Sequence, residues 1–68
     1  MKNTKTAYIE LKEKVSGILI KDNESIVIIE GQFYKEGQNF QDMTITKIMK
    51  DKIYLKKNNK NYVMYLKE

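Results

Sequence analysis

The sequence predicts an all-β fold, a small sandwich or SH3-like barrel of six to seven short antiparallel strands. Three observations lead there. Apolar runs rich in branched residues recur along the chain, as in residues 15–20 and 26–29. Turn-forming residues separate these runs at short intervals, at residues 21–24, Gly31, 37–39, 50–51 and 57–61. Two stretches alternate with period two, at residues 43–46 and 62–66.

Taken in order, residues 1–6 are polar and are expected to form a disordered tail, leaving residues 7–68 as one small β domain. Tyr8-Ile9-Glu10-Leu11-Lys12 alternates in part and reads as a strand, although Ile9, Leu11 and Val15 also admit a short helix. The next strand carries Val15, Ile18, Leu19 and Ile20 and ends at Lys21-Asp22-Asn23-Glu24. Ile26-Val27-Ile28-Ile29 is continuous and β-branched, the pattern of a strand covered on both faces. Gly31 breaks that run, since glycine reaches positive φ without steric cost, and Gln32 to Lys35 reads as a returning strand. A loop at residues 37–39 precedes Phe40.

In the stretch Met43-Thr44-Ile45-Thr46, Lys47 stands where an apolar residue is due, and Ile48 resumes one place late. Such a slip predicts a β-bulge or strand bend. Lys50-Asp51 fits the loop of a two-residue hairpin leading to Ile53-Tyr54-Leu55. The asparagine-rich turn that follows tolerates left-handed geometry. The last strand sets Tyr62, Met64 and Leu66 on one face and Val63 and Tyr65 on the other.

Composition narrows the chemistry. A chain of 68 residues makes one domain at most, and at this size only roughly 60% of the unfolded surface is buried. Cysteine and histidine are both absent, so neither a disulfide nor the usual zinc ligand set is expected. The commonest general base and the best nucleophile are missing with them. Ser16 and Ser25 have no histidine partner, the acids are scattered singly, and Gly31 and Gly37 form no phosphate loop. No enzyme activity, cofactor or metal is expected. No apolar run approaches the ~18 residues that cross a bilayer, and the N-terminus lacks a signal-peptide core.

Two binding surfaces remain. The first is an exposed sheet edge, whose unpaired N–H and C=O groups accept a partner's strand. Ser16-Gly17-Ile18-Leu19-Ile20 is free of charge and of proline, and suits that role unless it is an internal strand paired on both sides. The second is a basic, tyrosine-bearing end. The net charge of +4 is concentrated beyond residue 46, where seven lysines face only Asp51 and Glu68. There Lys52, Tyr54, Lys56, Lys57, Lys60, Tyr62 and Tyr65 combine positive charge with rings on which bases stack. This predicts, as the alternative, a cytoplasmic SH3-like or Sm-like domain binding RNA or single-stranded DNA. Every basic residue is lysine, however, and arginine is the usual reader of phosphate and guanine.

Residues 15–66 resemble the small periplasmic β domain, often called the homology region, of inner-membrane scaffold proteins in type II secretion and type IV pilus assembly. The resemblance rests on Val15-Ser16-Gly17-Ile18-Leu19, on Ile26-Val27-Ile28-Ile29 with Gly31, and on Tyr34-Lys35-Glu36-Gly37 as a "Y-x-x-G" element. It continues through Met43-Thr44-Ile45, Ile48, Lys50-Asp51-Lys52, Ile53-Tyr54-Leu55 and Tyr62-Val63-Met64-Tyr65-Leu66. The chain departs from the family pattern at Gln38, where aspartate is common, and at Asn58-Asn59, where the family carries glycine. The resemblance implies a non-enzymatic scaffold module that contacts an N-terminal domain of the outer-membrane secretin, or a neighbouring scaffold protein, by strand addition. It implies a periplasmic location for a piece of a membrane-tethered scaffold, or for a reduced, partner-recruited version of one.

Overall fold

A computed structural model describes residues 7–68, so the expected tail at 1–6 lies outside the described residues. Eight strands form in chain order: β1 (Tyr8–Glu10), β2 (Gly17–Ile20), β3 (Ser25–Ile29), β4 (Gln32–Lys35), β5 (Asn39–Phe40), β6 (Met43–Ile48), β7 (Lys52–Lys57) and β8 (Lys60–Tyr65). The fold is all-β, as the branched runs and turn spacing predict. One strand beyond the expected six or seven is β5, two residues long, in a segment that reads as loop.

The strands make two sheets, one of five in the order β1-β8-β7-β6-β5 and one of three in the order β2-β3-β4. Pairing is antiparallel except that β1 runs parallel to β8, Tyr8 opposite Asn61 and Glu10 opposite Val63. That one pair departs from the expected antiparallel pairing: β1 and β8 lie far apart in sequence and no hairpin joins them, so nothing requires them to run in opposite directions.

Bent segments join the sheets at both sides. Beyond β1, the Leu11 amide donates to the Val63 carbonyl (2.9 Å) and the Val15 amide to the Tyr65 carbonyl (2.9 Å). Val15 bridges Leu66 in the same parallel sense, so residues 11–14 loop outward before the chain enters β2. On the other side, Gly37 donates to the Ile45 carbonyl (2.7 Å) and Ile45 to that of Gln38 (2.8 Å), carrying β4 into β5. The architecture is therefore a sandwich with barrel-like closure.

Turn chemistry follows the residues. Glu30 and Gly31 both sit at positive φ (51° and 79°) in the two-residue loop between β3 and β4. Both left-handed residues match the right-handed twist of the strands they join. Lys50-Asp51 makes the expected two-residue hairpin, closed by the Met49 amide donating to the Lys52 carbonyl (2.8 Å). Asn58 takes φ 58° in the β7–β8 turn. The slip in β6 is a bulge: Ile45 pairs Leu55 and Lys47 pairs Tyr54, leaving Thr46 as the additional residue.

Val15, Val27, Ile29, Phe40, Met43, Ile45, Ile48, Ile53, Leu55 and Met64 form the core between the sheets. Tyr34 stands edge-on to Phe40, with centroids 5.5 Å apart and planes at 89°. Burying each large aliphatic side chain contributes about 1.5–3 kcal/mol, and that supplies most of the stabilisation in a domain without disulfides. One expectation fails in β3. Val27 and Ile29 are fully buried, but Ile26 and Ile28 point to the outer face and are only half-buried. That second face is covered only in part, leaving Leu19 and Phe33 exposed beside Ile26 and Ile28.

Candidate functional site

Four strands end the two sheets: β1, β2, β4 and β5. Three of them are poorly placed to accept another strand. β1 has three residues and carries Glu10, while β5 has two. At β4 the outward amide of Lys35 already donates to the Gln38 side-chain carbonyl (3.0 Å), and the Gln38 amide donates back to Lys35 (3.1 Å). β2 pairs only with β3, which resolves the choice between edge and internal strand in favour of an edge.

Register shows which groups of β2 face outward. The Lys21 amide donates to the Glu24 carbonyl (2.9 Å), so Lys21 and Glu24 form a hydrogen-bonded antiparallel pair. Such pairs alternate, which makes Leu19–Ile26 and Gly17–Ile28 the inward-bonded pairs. The N–H and C=O of Ile18 and Ile20 therefore point away from the sheet. At the start of the strand the Ser16 amide donates to the Ile28 carbonyl (2.8 Å), which anchors Ser16 inward. Of the five residues assigned to this edge, Ile18 and Ile20 present backbone groups, while Ser16, Gly17 and Leu19 hold the strand to β3. The Ile18 side chain packs against the core; those of Leu19 and Ile20 are about half exposed, at 49% and 51%.

The basic end divides between two faces. Pairing sets Lys52, Tyr54 and Lys56 beside Tyr65, Val63 and Asn61 on the outer face of the five-stranded sheet, with Lys47 opposite Tyr54. Lys57, Lys60 and Tyr62 lie on the inward face, with Tyr62 against the core and Lys57 bonded to the Asp42 carboxylate (3.3 Å). The seven residues grouped from sequence thus do not form one surface; four do.

The rings on that face are open only in part, Tyr8 being 46% and Tyr65 37% exposed. Tyr8 of β1 lies on Tyr54, with centroids 4.7 Å apart and tilted 34°. The Lys52 ammonium sits 6.0 Å from the Tyr54 ring and 5.9 Å from that of Tyr65, with Lys14 over Tyr65 at 5.8 Å. These cation–π contacts compete with bases for the ring faces. Sequence reasoning missed Tyr8, Lys14 and Lys47 here. Lys47 was legible from the bulge, whereas Tyr8 and Lys14 arrive through the parallel β1–β8 pairing.

Among the described residues no group of three or more carboxylates could hold a metal, and no helix is long and apolar enough to cross a membrane. A depression of about 700 Å³ beside Lys14, Tyr65 and Leu66 is an open surface hollow between charged side chains. No protein-family model, curated protein or solved structure matches the chain.

Proposed function

We propose that this chain is a protein-interaction module that recruits its partner by adding the partner's strand to β2. One observation carries the reading: β2 is an uncharged, proline-free edge strand with the backbone groups of Ile18 and Ile20 directed outward. Natural edges are commonly blunted by lysine, proline or a covering loop, and this one has none of the three among the described residues. The resemblance of residues 15–66 to secretion and pilus scaffold domains makes a secretin N-terminal domain the partner of choice, and the periplasm the place of contact. Such a contact would be small and weak, as suits an assembly that rearranges.

The test is titration with the purified N-terminal periplasmic domains of a secretin from the same organism. Amide hydrogen exchange at Ile18 and Ile20 is expected to slow on binding. Ile20→Pro removes one outward donor and should weaken binding about tenfold or more, the equivalent of ~1.4 kcal/mol. A folded Ile20→Pro chain with unchanged affinity, or no new protection at Ile18 and Ile20, would overturn pairing through this edge. A secretin gene adjacent to the gene for this chain would support the partner.

A further inference from the structure

The outer face of the three-stranded sheet carries four apolar side chains beside Lys35, two of them half-buried and two exposed. Cross-strand register brings Leu19 beside Ile26, and Ile28 beside Phe33, on that face. Phe33 is 68% exposed and Leu19 49%. β3 is the strand whose unbroken run of branched residues calls for cover on both faces, yet the core provides it only for Val27 and Ile29. An apolar sheet face of this kind is normally one layer of a two-layer packing whose other layer lies elsewhere.

We propose that this face docks an amphipathic, lysine- or arginine-bearing helix of a partner protein. The backbone requirement selects a helix. The groups of β3 beneath the patch are already paired on both sides, so an occupant must satisfy its own N–H and C=O groups. An extended segment lying flat would bury them unpaired; a helix would not. Size agrees. Three strands at about 4.8 Å spacing are about 10 Å across, the diameter of one helix with its side chains. Two side-chain rows about 7 Å apart along the strands match apolar anchors at i, i+4 and i+7.

Charge selects the sign. Around the patch stand Asp22, Glu24 and Glu30 against Lys21 and Lys35; Lys35, which shares this face opposite Ile26, is paired with Glu24 at 3.5 Å, and the Glu36 carboxylate is turned away to the Ile48 amide. The rest of the described chain has the opposite balance: nine lysines (12, 14, 47, 50, 52, 56, 57, 60 and 67) against Glu10, Glu13, Asp42, Asp51 and Glu68. A cationic helix is therefore drawn to this lobe and repelled elsewhere. The acidic rim argues against an anionic lipid surface. It also argues against a second copy face to face, which would oppose like charges.

The site adjoins the β2 edge through Leu19, but its most exposed anchor, Phe33, lies on β4, on the far side of β3. The probe is a 15-residue peptide of leucine and lysine patterned as an amphipathic helix, titrated into the isotope-labelled chain and followed by amide shifts. Saturable shifts are expected at Ile26, Ile28 and Phe33. Phe33→Ser should weaken binding about tenfold or more, since one aromatic anchor is lost, while leaving the thermal midpoint nearly unchanged. The same peptide with glutamate for lysine should bind at least tenfold more weakly. Equal binding of both peptides, an unaffected Phe33→Ser variant, or shifts confined to Ile18 and Ile20 would overturn the proposal. So would shifts confined to Lys52 and Tyr54, binding to anionic vesicles in place of the peptide, self-association through Phe33, or no saturable shift.

Discussion

Proline placed at two adjacent positions of β2 should have opposite consequences. In Leu19→Pro the lost amide is one that register turns towards the Ile26 carbonyl. The net loss of that bond is about 0.5–1.5 kcal/mol, and the stranded carbonyl costs about 1–3 kcal/mol more. The sum, about 1.5–4.5 kcal/mol, approaches the whole stability of a disulfide-free domain of this size, about 3–5 kcal/mol. In Ile20→Pro the lost amide points to solvent, and the side chain is already 51% exposed. Its remaining burial is worth about 1 kcal/mol, offset in part by the 0.4–1 kcal/mol or so that proline removes from the unfolded chain's entropy. The preceding residue is extended, as proline demands of its neighbour.

Thermal unfolding followed by circular dichroism distinguishes the two. A loss of 1 kcal/mol lowers the midpoint of a domain this small by about 4–8 °C. Ile20→Pro should therefore melt within about 5 °C of the parent, and Leu19→Pro at least about 10 °C lower or not cooperatively at all. Equal destabilisation, or a greater loss in Ile20→Pro, would refute the alternation drawn from the Lys21–Glu24 bond. The outward face of the edge would then have to be reassigned.

Glu30→Asn should raise stability by about 1 kcal/mol in urea unfolding, because a left-handed conformation (φ 51°) costs glutamate more than asparagine and creates the favoured Asn-Gly loop. Glu36→Ala should cost about 1–2 kcal/mol in the same assay, since the Glu36 carboxylate accepts the half-buried Ile48 amide at 2.9 Å. Gly17→Ala should be neutral or up to about 0.5–1 kcal/mol stabilising: its Cβ would meet Ile28 Cδ1 at 3.4 Å, within ordinary contact. Any weak affinity for oligonucleotides should be electrostatic and confined to the outer face of the five-stranded sheet. Lys52→Gln and Lys56→Gln should each reduce the salt dependence of binding by about one ion, measured by anisotropy, with Lys60→Gln leaving it unchanged.

Local rules made most of the fold legible, and long-range closure hid the rest. The hairpin loops at Glu30-Gly31 and Lys50-Asp51 and the bulge at Thr46 all follow from residues within a few positions of one another. β1 is different. Tyr8-Ile9-Glu10 reads as a strand, but its partner Asn61-Tyr62-Val63 lies some fifty residues away, and no local pattern names it. That pairing also governs the candidate nucleic-acid face, because it lays Tyr8 on Tyr54 and brings Lys14 to Tyr65. Period-two alternation already separates Tyr62 from Tyr65 and Lys57 from Lys56. Grouping all seven residues by composition overlooked a distinction that the strand period contains.

The same alternation gives the β3 run its meaning. A strand reads Ile-Val-Ile-Ile when both of its faces profit from apolar side chains, and Ile26 and Ile28 are buried only in part. The core itself is built on Val27 and Ile29. The exposed apolar surface of Leu19 and Phe33 beside this run lies outside that core, in the lobe whose charge balance is negative. On the opposite sheet the outer face is lysine-rich, and its rings contact one another and the lysines. The three-stranded sheet is left open at its β2 edge and at Leu19 and Phe33 on its outer face. Two unsatisfied features on one small lobe, orthogonal in direction and different in chemistry, suit a module that holds two segments at once.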